Sequence, residues 1–247
     1  MKRFFGWQFF LGLALIVFST GIYFIHFLVF RDAHHIFIYL IGDIAFVFIE
    51  VLLVTLVLHQ LLHQKEKQTL LKKLNMIIGA FFSEVGTELL RMFSVFDPHS
   101  TEAAKRLVVK NNWTDKKFKE TRKNLNMYEC NIECKRGNLV ALRDFLITRR
   151  HFLLNLLENP NLLEHETFTN LLWAVFHLTE ELASRRDLAK LPETDYEHLA
   201  GDIKRAYTAL IREWISYMKH LKNDYPYLFS LAVRTNPFDS NAEIEVR

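Results

Sequence analysis

The stretch "IYLIGDIAFVFIEVLLVTLVLHQ" (residues 38–60) decides the fold, because it is apolar almost throughout and still carries Asp43 and Glu50. A helix needs about 20 apolar residues to cross the hydrocarbon core of a bilayer. Residues 36–58 meet that length, so a membrane span is predicted there. A carboxylate at mid-span costs about 2.5–3.5 kcal/mol on insertion scales, which only a strongly apolar segment tolerates. Asp43 and Glu50 lie about two helical turns apart and so project from one face. That face should turn away from lipid. Three readings stay open. The acids are neutral or hydrogen-bonded and join helices in an oligomer, or they line a water-filled path for cations or protons, or the segment is not a span.

Upstream, "FFGWQFFLGLALIVFSTGIYFIHFLVF" (4–30) gives 27 consecutive positions without Asp, Glu, Lys or Arg. This is long enough to span with tilt. It exceeds the apolar core of a signal peptide, about 7–15 residues, and shows no small-residue cleavage site, so it reads as a retained anchor. The connector "RDAHH" (31–35) makes the two spans antiparallel neighbours, a helical hairpin. In such a hairpin Asp43 falls near the depth of Tyr23, and Glu50 near Ile16 to Ser19. Ser19, Thr20, Tyr23 and His26 are therefore candidate polar partners for the two acids. Lys2 and Arg3 precede the first span, and Lys65, Lys67, Lys72 and Lys73 follow the second; the connector has only Arg31, beside Asp32. The positive-inside rule then puts both termini in the cytoplasm.

The rest of the chain reads as helix. Of 247 residues half are apolar and 22 are Phe, whereas Gly and Pro number only 8 and 5. That balance suits long helices and is poor in the turns a β-rich fold requires. The predicted class is all-α. A transmembrane hairpin covers 1–60, an amphipathic juxtamembrane helix continues the second span over 61–97, a cytoplasmic helical bundle covers 98–236, and a tail covers 237–247.

In the juxtamembrane helix, apolar residues recur at Leu70, Leu74, Ile77, Phe81, Val85, Leu89, Met92 and Phe96, in steps of three and four. A second line through Leu71, Ile78, Phe82 and Phe93 widens the stripe, and Gly79 and Gly86 permit close packing or a bend. Asp97–Pro98 closes this element and opens a short helix to about Lys110. Thr114 caps the next helix, with Trp113 and Phe118 as a hydrophobic staple, and it runs to Arg136 with Gly137 behind. Asn138 caps a helix that stops at Pro160; apolar helices follow over 162–185 and 195–223. The last is predicted to bury Leu199, Ile203, Tyr207, Leu210, Trp214, Ile215 and Met218.

Candidate chemistry is sparse. His59, His63 and Glu66 share one helix face at ligand spacing, which suits a metal or merely an interfacial position. His34 and His35 sit on the connector, where pH could act on them. Cys130 and Cys134 fall four apart on the predicted helix without the further ligands of a metal knuckle, and read as reduced thiols. In "WAVFHLTEE", His177 and Glu180 share a face as an acid/base or metal pair, or as a core histidine satisfied by a carboxylate. A diiron bundle would need Glu-x-x-His, which the chain lacks. There is no phosphate-binding glycine loop, nucleophile elbow, HExxH or EF-hand pattern, and no cofactor is implied.

Charge is segregated although the net is only +3. Residues 105–136 carry ten Lys/Arg against four Asp/Glu, while residues 151–202 carry three against ten. The basic stretch suits an anionic leaflet or an acidic stretch of the same or a neighbouring subunit. Phe118 is the only aromatic among the charges of 116–123, so nucleic acid is not the expected partner.

The phrases "LLWAVFHLTEELASR" and "YPYLFSLAVRTNPFD" resemble those of uncharacterised bacterial membrane proteins with an N-terminal hairpin and a helical cytoplasmic region. The resemblance implies a bacterial inner-membrane location and carries no activity. Together these readings give a membrane-anchored, homo-oligomeric, non-enzymatic scaffold or regulatory protein with the bilayer and a protein as partners. The alternative is an ion-conducting assembly with Asp43 and Glu50 facing the path.

Overall fold

Residues 2–125 and 130–245 are described by a computed structural model, all-helical and without a strand among those residues. The side chains of Lys2, Arg3, Lys67, Leu71 and Lys72, all used above, lie outside the described set. Two compact units divide the chain, residues 1–67 and 68–247. Each is treated by itself.

The first unit holds α1 (Lys2–Phe30) and most of α2 (Ala33–Phe81). The connector is shorter than the sequence suggests, because Asp32 acts as a helix cap. Its Oδ1 accepts from the backbone N–H of His35 at 3.1 Å, so α2 begins at Ala33 and takes in His34 and His35. Arg31 ends α1 in the left-handed region (φ 52°), its N–H donating to the Phe27 carbonyl at 2.8 Å. The rings of His26 and His35 stack beside this turn at 5.9 Å. Phe9–Phe30 and Ala33–Glu66 are long and apolar enough to cross a membrane, by length and composition, and no residue in either stretch is buried.

The second unit builds its core around the end of α2, which enters with the predicted stripe. Leu74, Ile78 and Phe81 are buried, and Val85, Leu89, Leu90, Phe93 and Phe96 continue the line. The helix is not uniform. Phe82–Gly86 form one π-helical turn before α3 (Thr87–Phe96). Both the backbone N–H and Oγ1 of Thr87 donate to the Phe82 carbonyl, which fixes the extra residue. A Cβ on Gly86 would lie 2.6 Å from Phe82 Cδ1, so the turn requires glycine there.

Asp97 does not open a helix at Pro98. Its Oδ1 accepts from the His99 N–H at 2.9 Å, and α4 spans only Ser100–Leu107. Trp113 packs edge-on against Phe118 at 5.1 Å and Thr114 Oγ1 accepts from Lys117 N, so the predicted staple and cap both form at the start of α5 (Asp115–Leu125). The expected continuation to Arg136 fails. Residues 126–129 lie outside the described residues, 130–133 are irregular, and Cys134–Arg136 make a single 3-10 turn. Cys130 and Cys134 are therefore not side by side on one helix. Cys130 Sγ donates to Asp97 Oδ2 at 3.6 Å, and Cys134 Sγ to the Tyr196 carbonyl at 3.4 Å.

Asn138 caps α6 (Leu139–Leu157) through Ala141 N. A 3-10 turn at Pro160–Glu164 follows, then α7 (Glu166–Ser184), α8 (Glu193–Asp224) and α9 (Pro226–Arg234). α8 is the axis of the unit, with α3, α5, α7 and α9 packed on it and α6 packed on α7. All seven of its predicted core residues are buried. At 1% or less exposure, Trp214 and Tyr207 are the largest side chains it contributes.

Candidate functional site

The seam between α7 and α8 gathers the polar chemistry of the second unit. On α7, Ala174, Val175, Leu178 and Leu182 face the core, which leaves His177 and Glu181, one turn apart, at the edge of that buried stripe. On α8, Leu199 and Ile203 are buried, and His198 and Asp202 make a second pair with the same spacing. Packing α7 on α8 brings the pairs together.

Asp202 is the centre of this cluster and is only 3% exposed. Its Oδ2 lies 3.3 Å from His177 Nε2 and 3.4 Å from His198 Nε2. Neither contact has hydrogen-bond geometry, and Oδ2 has no hydrogen-bond partner. Its Oδ1 pairs with Arg205 at 3.1 Å. Glu181 stands near both imidazoles, Oε1 at 3.8 Å from His177 Nε2 and Oε2 at 3.6 Å from His198 Nε2. The two histidine side chains are about half exposed, at 46% and 53%, so the cluster has a buried floor and an open rim.

Arg185 organises the rim. It donates to Glu181 Oε2 at 2.7 Å and to both oxygens of Asp195 at 2.6 and 2.8 Å. These bonds hold the carboxyls of Glu181 and Asp195 below the usual carboxylate range. Both acids are thus held as anions, and Glu181 lies beside the two imidazoles. Such a set can hold a divalent cation or share protons among its members.

Glu180, paired with His177 in the sequence reading, turns elsewhere. Its Oε1 accepts from Arg150 Nε at 2.7 Å, and the carboxylates near His177 are Glu181 and Asp202. His59 and His63 stack at 6.4 Å, and no third ligand atom joins them or Glu66 among the described residues. Asp43 and Glu50 are exposed, with no hydrogen bond or ion pair to Ser19, Tyr23 or His26 among the described residues. Ser19 and Tyr23 are exposed too, and Thr20 Oγ1 donates back to the Ile16 carbonyl at 2.9 Å. His26 is half-buried, its Nδ1 without a hydrogen-bond partner. The Ser19–Thr20–Tyr23–His26 ladder is therefore not joined to the acids within this chain.

Comparison with known proteins places most of the chain. Residues 2–62 match the family described as "MJ1433, N-terminal helical domain", and residues 70–234 match "Uncharacterized protein MJ1433, C-terminal helical domain". The chain belongs to the MJ1433 family. A relative in Methanocaldococcus jannaschii, the uncharacterised protein MJ1433, is 45% identical over 234 residues, 95% of this chain and 94% of the relative. It is archaeal, so the bacterial part of the resemblance has no support. No solved structure matches. The two MJ1433 domains leave residues 63–69 between them, and the structural division after residue 67 falls in that gap.

Sequence reasoning places Glu181 on the same helix as His177 and Glu180 without pairing it, and misses His198, Asp202, Asp195 and Arg185. A signal was present: a histidine followed four residues later by an acid occurs at 177–181 and again at 198–202. Neither motif means much alone.

Proposed function

We propose that this chain is a membrane-anchored scaffold or regulatory protein without catalytic activity, whose two N-terminal helices span the cell membrane and self-associate. Both termini lie in the cytoplasm, and the helical second unit is the interaction domain, available to a protein partner. One observation carries this reading. The second unit closes its own core, while the apolar stretches Phe9–Phe30 and Ala33–Glu66 bury no residue at all.

Leaving a Leu or Phe side chain in water forgoes about 1.5–3 kcal/mol. Trp7, Phe9, Phe10, Phe18, Phe46 and Phe48 are each more than half exposed. Surface of that extent needs lipid or another copy of itself. Asp43 and Glu50 favour a second copy over lipid alone. Each lacks a partner in its own chain among the described residues, and a neighbouring helix supplies donors such as Ser19, Tyr23 and His26. The same unpartnered acids support a second reading, a cation-conducting assembly. Changed cation flux in liposomes on Asp43→Asn or Glu50→Gln separates it from simple association.

Fractionation tests the anchor. The full chain should stay with membranes through an alkaline wash and leave them only in detergent. Release by the wash contradicts the proposal.

A further inference from the structure

We propose that His177 Nε2, His198 Nε2 and Asp202 Oδ2 hold a divalent transition cation of the zinc class in tetrahedral coordination. A water hydrogen-bonded to Glu181 fills the fourth position. The inference concerns the second unit alone and does not depend on the membrane anchor.

Three observations carry it. First, the three ligand atoms converge within 4.8 Å of one another from two different helices. Second, two of the three spacings fit. Zinc bonds of about 2.0–2.2 Å to nitrogen and oxygen place tetrahedral ligand atoms about 3.4 Å apart, whereas an octahedral facial set would bring them to about 3.0 Å. Asp202 Oδ2 lies 3.3 and 3.4 Å from the two imidazole nitrogens. Third, that oxygen is buried and no hydrogen bond reaches it, the state of an acceptor whose partner is a cation rather than an N–H.

The surroundings match what such an ion needs. Arg205 fixes the other oxygen of Asp202 at 3.1 Å, which orients Oδ2 toward the histidines. Glu181 already accepts from Arg185 through Oε2, so its Oε1 is the atom available to a bound water. Two imidazoles and one carboxylate suit zinc better than magnesium or calcium, which prefer all-oxygen sets. With both histidines half exposed, the open position faces solvent.

Cobalt(II) is the probe. The full chain in lipid discs, stripped by a chelator, should bind one cobalt per chain with the intense visible bands of a tetrahedral site. Added zinc(II) should displace it. His177→Ala and His198→Ala, both at exposed side chains, should lose the signal with helicity unchanged. The His59→Ala/His63→Ala double variant should keep it. Glu181→Gln should retain one cobalt but bind it about 10–100-fold more weakly. Weak six-coordinate bands, no stoichiometric cobalt, cobalt that survives both single histidine variants, or cobalt lost with His59 and His63 overturns the site. Unchanged affinity in Glu181→Gln overturns the placement of the water.

Discussion

His198 Nε2 lies 3.4 Å from Asp202 Oδ2, one turn along α8, and no hydrogen bond joins them. A cation held by these two atoms together with His177 Nε2 of α7, 3.3 Å from the same oxygen, cross-links α7 and α8. Binding only the folded state at 100 times the dissociation constant adds about 2.7 kcal/mol of stability. For a unit of this size that is a rise in melting temperature of about 5–10 °C. Calorimetry of the full chain with and without zinc should show the rise, and the His177→Ala/His198→Ala double variant should lose it. An equal rise in that variant contradicts the cross-link.

Arg185 gives the domain an acid-sensitive clamp. Because its bonds depress the carboxyl values of Glu181 and Asp195, their contribution is complete above the unfolded carboxyl values, about pH 4, and disappears as pH falls through the folded values. Acid unfolding of Arg185→Ala should therefore show a shallower loss of stability below about pH 4 than the unsubstituted chain. Parallel acid limbs in the two proteins would argue against the clamp.

The cysteines predict an effect at the other end of the pH scale. Burial, with Asp97 beside it, pushes the Cys130 thiol up to about 12, and burial pushes Cys134 up to about 11, from an ordinary 9.0. The folded state holds these protons where the unfolded chain releases them. Stability should thus fall as pH rises from 9.0 toward about 12. Iodoacetamide at pH 8 should label neither thiol in the folded chain and both in denaturant. Rapid labelling of the folded protein would show that the thiols are accessible.

Two glycines should respond in opposite directions to the same change. At Gly86 a Cβ meets Phe82 Cδ1 at 2.6 Å and Phe81 Cε1 at 2.8 Å, and both rings are buried. Phe82 is stacked on Tyr217 at 4.8 Å and edge-on to Trp214, so it cannot yield. Gly86→Ala should cost about 1–3 kcal/mol. Gly201, exposed within α8 with nothing within 4 Å, should gain about 0.5–1 kcal/mol on Gly201→Ala. Denaturant melts read both changes, and a shift of the same sign at both positions contradicts this packing.

Local signals in the sequence carried much of the fold. The stripe from Leu74 to Phe96 is legible because steps of three and four define one helix face. Thr114 and Asn138 are legible because capping chemistry acts within three residues. Residue counting makes the connector too long, because Asp32 captures the His35 N–H, a competition between cap and loop that such counting does not weigh. The π turn was visible only as Gly86. The α7–α8 cluster was not legible, because His177–Glu181 and His198–Asp202 become one site only when two helices pack. Spacing along one helix says nothing of that meeting.

In the proposed reading, copies of this chain associate in the membrane through the exposed acidic face of α2. The mass of the full chain in lipid discs tests it most directly. A discrete assembly of more than one copy is expected, reduced in size by Asp43→Asn with Glu50→Gln. A single copy per disc, or an assembly unchanged by those substitutions, would contradict it.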